Sequence, residues 1–489
     1  MSRVKIAKHK IEFGDFHTPP ELCLQICALL SDRGLRPRSV LEPNCGRGNF
    51  LAAALESFPS VQTVLGVEIN PEYVSEATLR LAASNGRVET AVVHADFFTA
   101  DWPQILAALP DPLLVLGNPP WVTNAALGVM RGSNLPQKSN AARFRGIEAI
   151  TGKSNFDISE WMISRELEWI GDRDAVLSML CKSAVARKVC AHARKTGLRM
   201  EQADLYDIDA ARFFGVTVNA CLLVTSVTRG RQDFDCRVRP SLEHSASPKV
   251  FGCRGGCLIA DTESYERTKH LDSEGPYRWR SGIKHDCSKV MVLDEVEGRY
   301  RNGLGEFVSL ETEYLYPMLK SAEIADPAYA TPRRWMLVTQ KSMKEDPGSI
   351  RFRAPKTWEY LTEHAQFLDR RGSTVYRNRP RFSIFGVGDY SFAPWKVAIS
   401  GLYKKLDFRV LGSYRNKPMV LDDTCYFLAC RTREEAEFLA GLLNSDLARD
   451  FFTGIIFWDA KRPITAAILQ RLDLTALGKE LAQRERDRN

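Results

Sequence analysis

Nowhere in the 489 residues does an apolar run approach the roughly 18 to 20 residues of a bilayer-crossing helix, so a helical membrane span is not expected. The basic stretch 1–10 lacks the apolar region that would follow it in a signal peptide, which points to a cytoplasmic protein. Cysteine is present twelve times but scattered, without the density of a small secreted scaffold, so the thiols are expected to be reduced. Cys253 and Cys257, with Cys236, His270, His285 and Cys287 nearby, do not form the two tight ligand pairs of a zinc site, and no metal is expected. There is no internal repeat, no low-complexity segment, and no carboxylate and lysine cluster marking a nuclease domain.

What is present is a series of strands that each end in ligand-type residues. Ser39-Val40-Leu41 reads as a buried strand, followed by Glu42-Pro43-Asn44-Cys45-Gly46-Arg47-Gly48-Asn49-Phe50 and a helical pattern through Leu51, Ala54, Leu55 and Phe58. Gly46 and Gly48 let the backbone approach a ligand, and the amides of the helix start offer donors to an anionic group. Leu51 stands where the dinucleotide fingerprint has its third glycine, which argues against NAD. A second strand, Val61 to Val67, ends in Glu68, 22 positions after Gly46 and near the spacing of a carboxylate that grips ribose hydroxyls. A third, Val88 to Val93, runs into Asp96-Phe97, a carboxylate and an aromatic suited to a purine.

The most informative element is a fourth strand, Leu113 to Gly117, that opens into Asn118-Pro119-Pro120-Trp121. Two prolines fix φ, remove two amide donors and push Asn118 out of helical geometry. The carboxyl ends of strands are where open α/β sheets bind ligands. The Asn118 amide oxygen and the Pro119 carbonyl can each accept one hydrogen of an exocyclic amine while Trp121 stacks on its ring. A bland reading, a stiff loop after a strand, competes with this one until the upstream residues are added.

In that order, Thr18-Pro19-Pro20, the Glu42 to Phe50 turn, Glu68, Asp96-Phe97 and the Asn118 to Trp121 tetrad resemble the gamma-class DNA adenine N6-methyltransferases of type II restriction-modification systems. The resemblance implies a Rossmann-like S-adenosylmethionine-dependent fold, with a mostly parallel seven-stranded sheet, and a C-terminal α+β target recognition domain. It also implies that Thr18, Glu42 and Cys45 lie near the methionine part of the cofactor, Gly46 and Gly48 beneath it, Glu68 on the ribose, and Asp96 with Phe97 on the adenine. Trp121 stands where the family often has Tyr. Phe213, in Phe213-Phe214-Gly215, resembles the aromatic that stacks on the second face of an extruded base, and Gly152 to Asp157 resembles a pocket segment. Glu313 to Lys320, Asp422 to Phe427 and Lys461 to Thr465 resemble parts of the C-terminal domains found in this methyltransferase group. Acceptance of both N6 hydrogens would pyramidalise the nitrogen and free its lone pair, with no base or metal needed. The target adenine must first leave the duplex.

The chain carries a net charge of +7, and the stretch from Arg333 to Arg381 alone holds twelve Lys and Arg against five Asp and Glu. Arg333, Arg334, Lys341, Arg351, Arg353, Arg377, Arg379 and Arg381, interleaved with aromatics, make this the expected contact with double-stranded DNA. The domain boundary is expected in the polar stretch 229–248, giving a catalytic domain over 1–235 and a recognition domain over 236–489. A monomer suffices, and cleavage would need a separate cognate endonuclease. The competing readings are an Asn-Pro-Pro methyltransferase acting on cytosine N4, RNA or protein glutamine, and a non-catalytic DNA-binding module.

Overall fold

A computed structural model describes residues 17–82, 86, 88–122, 157–230, 233–243, 248–326 and 331–488. The chain divides into two compact units, Met1–Thr262 and Glu263–Asn489.

The first unit is built on one sheet in the order β10-β9-β8-β6-β7-β5-β4-β1-β2-β3. Its parallel part comprises β1 (Ser39–Glu42), β2 (Thr63–Glu68), β3 (Glu89–His94), β4 (Leu113–Gly117) and β5 (Ala175–Lys182). In it β1 lies between β2 and β4, with β3 beyond β2 and β5 beyond β4. Burial follows position: every residue of β1 and β4 is buried, while β3, at the sheet edge, alternates and is half open. Strands covered on both faces read as continuous apolar runs, which is why Leu113 to Leu116 gave so plain a signal. Helix α1 (Pro20–Asp32) starts at a proline, which loses nothing at a position whose N–H has no intrahelical partner. It buries Leu22, Cys23, Ile26, Cys27, Leu29 and Leu30, one stripe at helical spacing. Helix α2 (Asn49–Ser57) packs beside it, and α3 (Pro71–Ala82), α4 (Trp102–Ala107), α5 (Ile158–Ile170) and α6 (Ser183–Thr196) complete the crossovers.

Beyond β5 the chain reverses. β7 (Ala220–Arg229) runs antiparallel between β5 and β6 (Leu198–Ile208), with the short α7 (Ala210–Phe214) connecting β6 to β7. Strands β1 to β7 thus form the expected seven-stranded sheet. Three more were not expected: β8 (Asp235–Arg239), β9 (Lys249–Arg254) and β10 (Cys257–Ile259) extend it to ten, and the units divide at Thr262/Glu263 rather than at 235/236. The polar stretch read as a linker is in part a strand. Two of its arginines meet a carboxylate within the fold: Arg237 grips the buried Asp204 of β6 with two bonds of 2.9 Å, joined there by Arg239 at 3.4 Å and, from outside the stretch, by Arg33 at 2.7 Å. Charge pairing of this kind is invisible in composition.

The second unit is α+β. One sheet has the order β14-β13-β12-β16-β15-β19 and the other β11-β20-β17-β18. The first contains β12 (Val292–Val296), β13 (Arg299–Asn302), β14 (Phe307–Val308), β15 (Leu315–Leu319), β16 (Arg334–Leu337) and β19 (Val420–Leu421). The second contains β11 (Arg280–Ser281), β17 (Trp395–Ser400), β18 (Arg409–Leu411) and β20 (Cys425–Cys430). A core around Leu293, Trp335, Met336, Tyr360 and Phe382 closes the larger sheet.

Candidate active site

The carboxyl ends of β1, β2, β3 and β4 carry the residues singled out in the sequence, and hydrogen bonds tie several of them together. After β1 the chain turns through Gly46 and Gly48 at φ of 49° and 74°, left-handed values that favour glycine. Gly48 caps α2, and a Cβ there would lie 3.1 Å from the Ala77 methyl. The Gly46 amide donates to Glu68 Oε2 at 2.9 Å and the Asn70 amide to Glu68 Oε1 at 2.8 Å, so the Glu68 carboxylate is fixed across the turn. Gly66, which attracts no notice in the sequence, is equally constrained: a Cβ on it would fall 2.7 Å from both Cys45 Sγ and Leu51 Cδ1.

Glu42 is buried below this turn. Burial, reinforced by the charge of Glu68, pushes its carboxyl well above the usual carboxylate range, and Oε2 has no hydrogen-bond partner among the described residues. It also lies beside the tetrad, since a methyl at Gly117 would sit 3.5 Å from Glu42 Cγ. Thr18 joins the two halves. Its carbonyl accepts from Asn49 Nδ2 at 2.8 Å, and its hydroxyl oxygen from Asn118 Nδ2 at 3.3 Å. With Nδ2 on Thr18, Oδ1 is the end of the Asn118 amide that a substrate N–H would meet.

Trp121 is buried, with Nε1 donating to the Leu180 carbonyl at 3.5 Å. Its own carbonyl accepts from Lys182 Nζ at 3.1 Å, and the same ammonium pairs with Asp157 at 2.7 Å. Lys182 was missed in the sequence, although a lysine closing the apolar strand Ala175–Lys182 is a signal of its kind. The Trp121 ring meets Phe214 edge-on, centroids 5.2 Å apart, whereas Phe213 lies under the Arg212 guanidinium at 4.8 Å. The structure therefore brings Phe214, not the expected Phe213, to the tetrad. Of the segment Gly152 to Asp157, only Asp157 falls among the described residues; it caps α5 by accepting from the Ser159 amide.

At the end of β3, Asp96 accepts from the Phe98 amide at 2.9 Å. The Phe97 ring is enclosed by Trp102, Trp169, Phe98 and Trp161, with centroids 5.0 to 6.0 Å away. Phe97 is thus part of an aromatic cluster, and its half-buried members Phe98 and Trp161, 5.3 Å apart, were not anticipated.

No family model matches the chain. It is 43% identical to the type II methyltransferase M.NspV of Nostoc sp., over 97% of this chain and 98% of that protein. The chain belongs to the type II methyltransferases. Among solved structures it is similar to the type IIL restriction-modification enzyme MmeI, determined in complex with DNA, at a TM-score of 0.52 and 13% identity. That match covers 94% of this chain and 65% of MmeI, so the chain spans just under two thirds of the longer enzyme. A weaker likeness, at a TM-score of 0.32 and 13% identity over 48% of this chain and 49% of the other, is to a modification subunit of a putative type I restriction enzyme from Vibrio vulnificus YJ016. The fold is that of the S-adenosylmethionine-dependent methyltransferases, and S-adenosylmethionine is the methyl donor. The turn suits it: close backbone approach at Gly46 and Gly48, and an unpartnered buried acceptor on Glu42, match a ligand with a polar amino acid end.

In the second unit of this methyltransferase the eight basic residues chosen from the sequence have different fates. Arg334 is spent inside the unit, paired with Glu323 at 2.5 Å and Asp294 at 3.6 Å. Arg381 pairs with Asp369 at 2.5 Å. Arg333, Lys341, Arg351, Arg353, Arg377 and Arg379 are exposed, and Phe352 between two of them is 76% exposed.

Proposed function

We propose that this enzyme transfers a methyl group to N6 of an adenine at a specific site in double-stranded DNA, protecting that site from a cognate restriction endonuclease. The observation that carries this reading is the Asn118-Pro119-Pro120-Trp121 tetrad at the end of β4, with the Asn118 amide anchored through Nδ2 on Thr18. That anchoring supports Asn118 Oδ1 and the Pro119 carbonyl as the two acceptors for the N6 hydrogens, which raises the nucleophilicity of the nitrogen without a general base.

Thr18, Glu42 and Cys45 would hold the methionine part of S-adenosylmethionine, Gly46 and Gly48 would lie beneath it, Glu68 would take the ribose, and Asp96 with the Phe97 cluster the adenine. When bound, the cofactor supplies an electrophilic methyl on a sulfonium. The residues position the two reactants, which is where most of the rate gain of a direct transfer lies. The target base would be flipped out of the duplex and held between Trp121 and a second aromatic, for which its place 5.2 Å from Trp121 favours Phe214 over Phe213. The second unit would read the DNA sequence. The test is to incubate purified protein, S-adenosylmethionine and unmodified bacterial DNA, digest to nucleosides and identify the product by mass. N6-methyldeoxyadenosine is expected; N4-methyldeoxycytidine in its place would overturn the assignment of the base.

A further inference from the structure

Unit Glu263–Asn489 carries a second group of cations that joins Arg377, at the end of the basic stretch seen in the sequence, to lysines and an arginine outside it. Between β17 and β18 the chain turns at Ser400, whose hydroxyl oxygen accepts from the amides of Leu402 and Tyr403, each at 3.3 Å. Gly401 donates to the Thr424 carbonyl at 2.8 Å and sits so close to its neighbours that a Cβ would fall 2.6 Å from the Tyr426 ring. The backbone is thus held from both sides, while Leu402 and Tyr403 stand 39% and 44% exposed. Lys404 and Lys405 follow, both exposed and in no ion pair among the described residues. A turn held on both sides thus offers an apolar residue, a tyrosine and two ammonium groups to solvent.

The surroundings extend the pattern. The position of the Gly401 Cβ lies 3.2 Å from the Ile464 carbonyl, next to the exposed Lys461 and Arg462; Arg462 donates to the Asp423 carbonyl at 3.4 Å. Asp423 is 3.8 Å from Lys284, which is also paired with Asp286 at 2.7 Å, and the Lys284 carbonyl accepts from the Tyr376 hydroxyl at 3.3 Å, beside the exposed Arg377. The acids in this chain of contacts are engaged: Asp422 accepts from the Thr424 amide and the Cys425 thiol, and Asp423 and Asp286 share Lys284. These contacts connect three stretches remote in sequence, at Arg377, Lys404-Lys405 and Lys461-Arg462, whose five cations are all exposed.

We propose that these stretches receive the sugar-phosphate backbone of the DNA substrate, with Lys404, Lys405, Lys461, Arg462 and Arg377 on phosphates and Tyr403 directed at the groove between them. The inference rests on the proposed function and names the surface for it. Charge complementarity commits it to a polyphosphate: each lysine placed on a phosphate releases counterions, a term that is independent of sequence and measurable through salt.

The experiment compares the binding of a random-sequence DNA duplex by the full-length wild type, Lys404→Gln/Lys405→Gln and Tyr403→Ala across a range of salt, with the thermal melt of each variant as the check on the fold and S-adenosylmethionine binding as the check on the first unit. The double variant is expected to lower the slope of log affinity against log salt by about 1.8, two phosphate contacts' worth. Tyr403→Ala is expected to lose affinity at fixed salt with its slope unchanged. An unchanged slope and affinity in both variants, with duplex still bound, would overturn this surface and leave the function intact. A wild type that binds S-adenosylmethionine but no duplex, or single-stranded RNA in preference, would overturn the function and this surface together.

Discussion

The two units handle charge in opposite ways. At the ends of β1, β2 and β4, two carboxylates and an amide are set by their immediate surroundings: Glu68 between two main-chain amides, Glu42 by burial, Asn118 on the Thr18 hydroxyl. In the second unit the charges are long side chains whose availability is settled by the carboxylates they meet in the fold. Arg334 and Arg381 look identical to Arg377 in the sequence, yet the first two are spent on Glu323 and Asp369. The lesson is that a site made of forced backbone shapes can be read one residue at a time, while a charged surface can be read only after its ion pairs are known.

Breaking the first half of that comparison has the largest effect. Asn118→Ala is expected to lower kcat by about 10²- to 10³-fold, the scale for loss of one preorganised polar group in a transition state, while S-adenosylmethionine binding measured by calorimetry stays close to wild type. Next comes Lys182→Met. It removes the donor to the Trp121 carbonyl and leaves the mostly buried Asp157 without its cation. A drop in kcat of about 10- to 100-fold, the scale for misplaced reactants, should accompany a modest loss in Tm; Lys182→Arg should restore part of both. Equal kcat in Lys182→Met and wild type would show that β5 does not position the tetrad.

Two smaller effects probe the buried interior of the first unit. Gly66→Ala should force Cys45 and Leu51 apart and cost about 1–3 kcal/mol of stability, read by denaturant titration, with weakened S-adenosylmethionine binding because Cys45 lies in the turn. Glu166, on α5, is fully buried with neither carboxylate oxygen partnered among the described residues, and burial pushes it up to about 8. A raised folded value means that stability is fully present below the unfolded value of about 4.5 and lost as pH rises toward about 8. Glu166→Gln should therefore gain on the wild type across that window in thermal melts and hold a constant advantage above it; parallel melts at every pH would contradict the account. The smallest effect is expected in the second unit, where Arg381→Ala, already paired with Asp369, should change the salt slope of DNA binding less than the Lys404/Lys405 double variant does.

Much of the catalytic unit was legible because its signals are local. Continuous apolar runs mark strands buried on both faces, glycines at positive φ mark the turn, and two prolines mark the end of β4. What was not legible depends on tertiary contact. The polar stretch after Val224 hides β8, whose Arg237 pairs with Asp204 thirty-odd positions earlier. Phe213 and Phe214 are adjacent, and only the packing of the short helix that carries them decides which ring meets Trp121, so spacing could not tell them apart. Lys182 and Gly66 act through neighbours that only the folded sheet supplies. Lys404 and Lys405 were passed over since neither lies in a basic run as dense as 333–381.

The most direct test of the central claim is to express the wild type and Asn118→Ala in a methylation-deficient bacterium and sequence both genomes by a method that detects N6-methyladenine. The account predicts modified adenines confined to one short motif in the wild-type host and none in the variant. Modification that persists with Asn118→Ala, or a wild-type host whose adenines stay unmodified while the soluble protein binds S-adenosylmethionine, would contradict it.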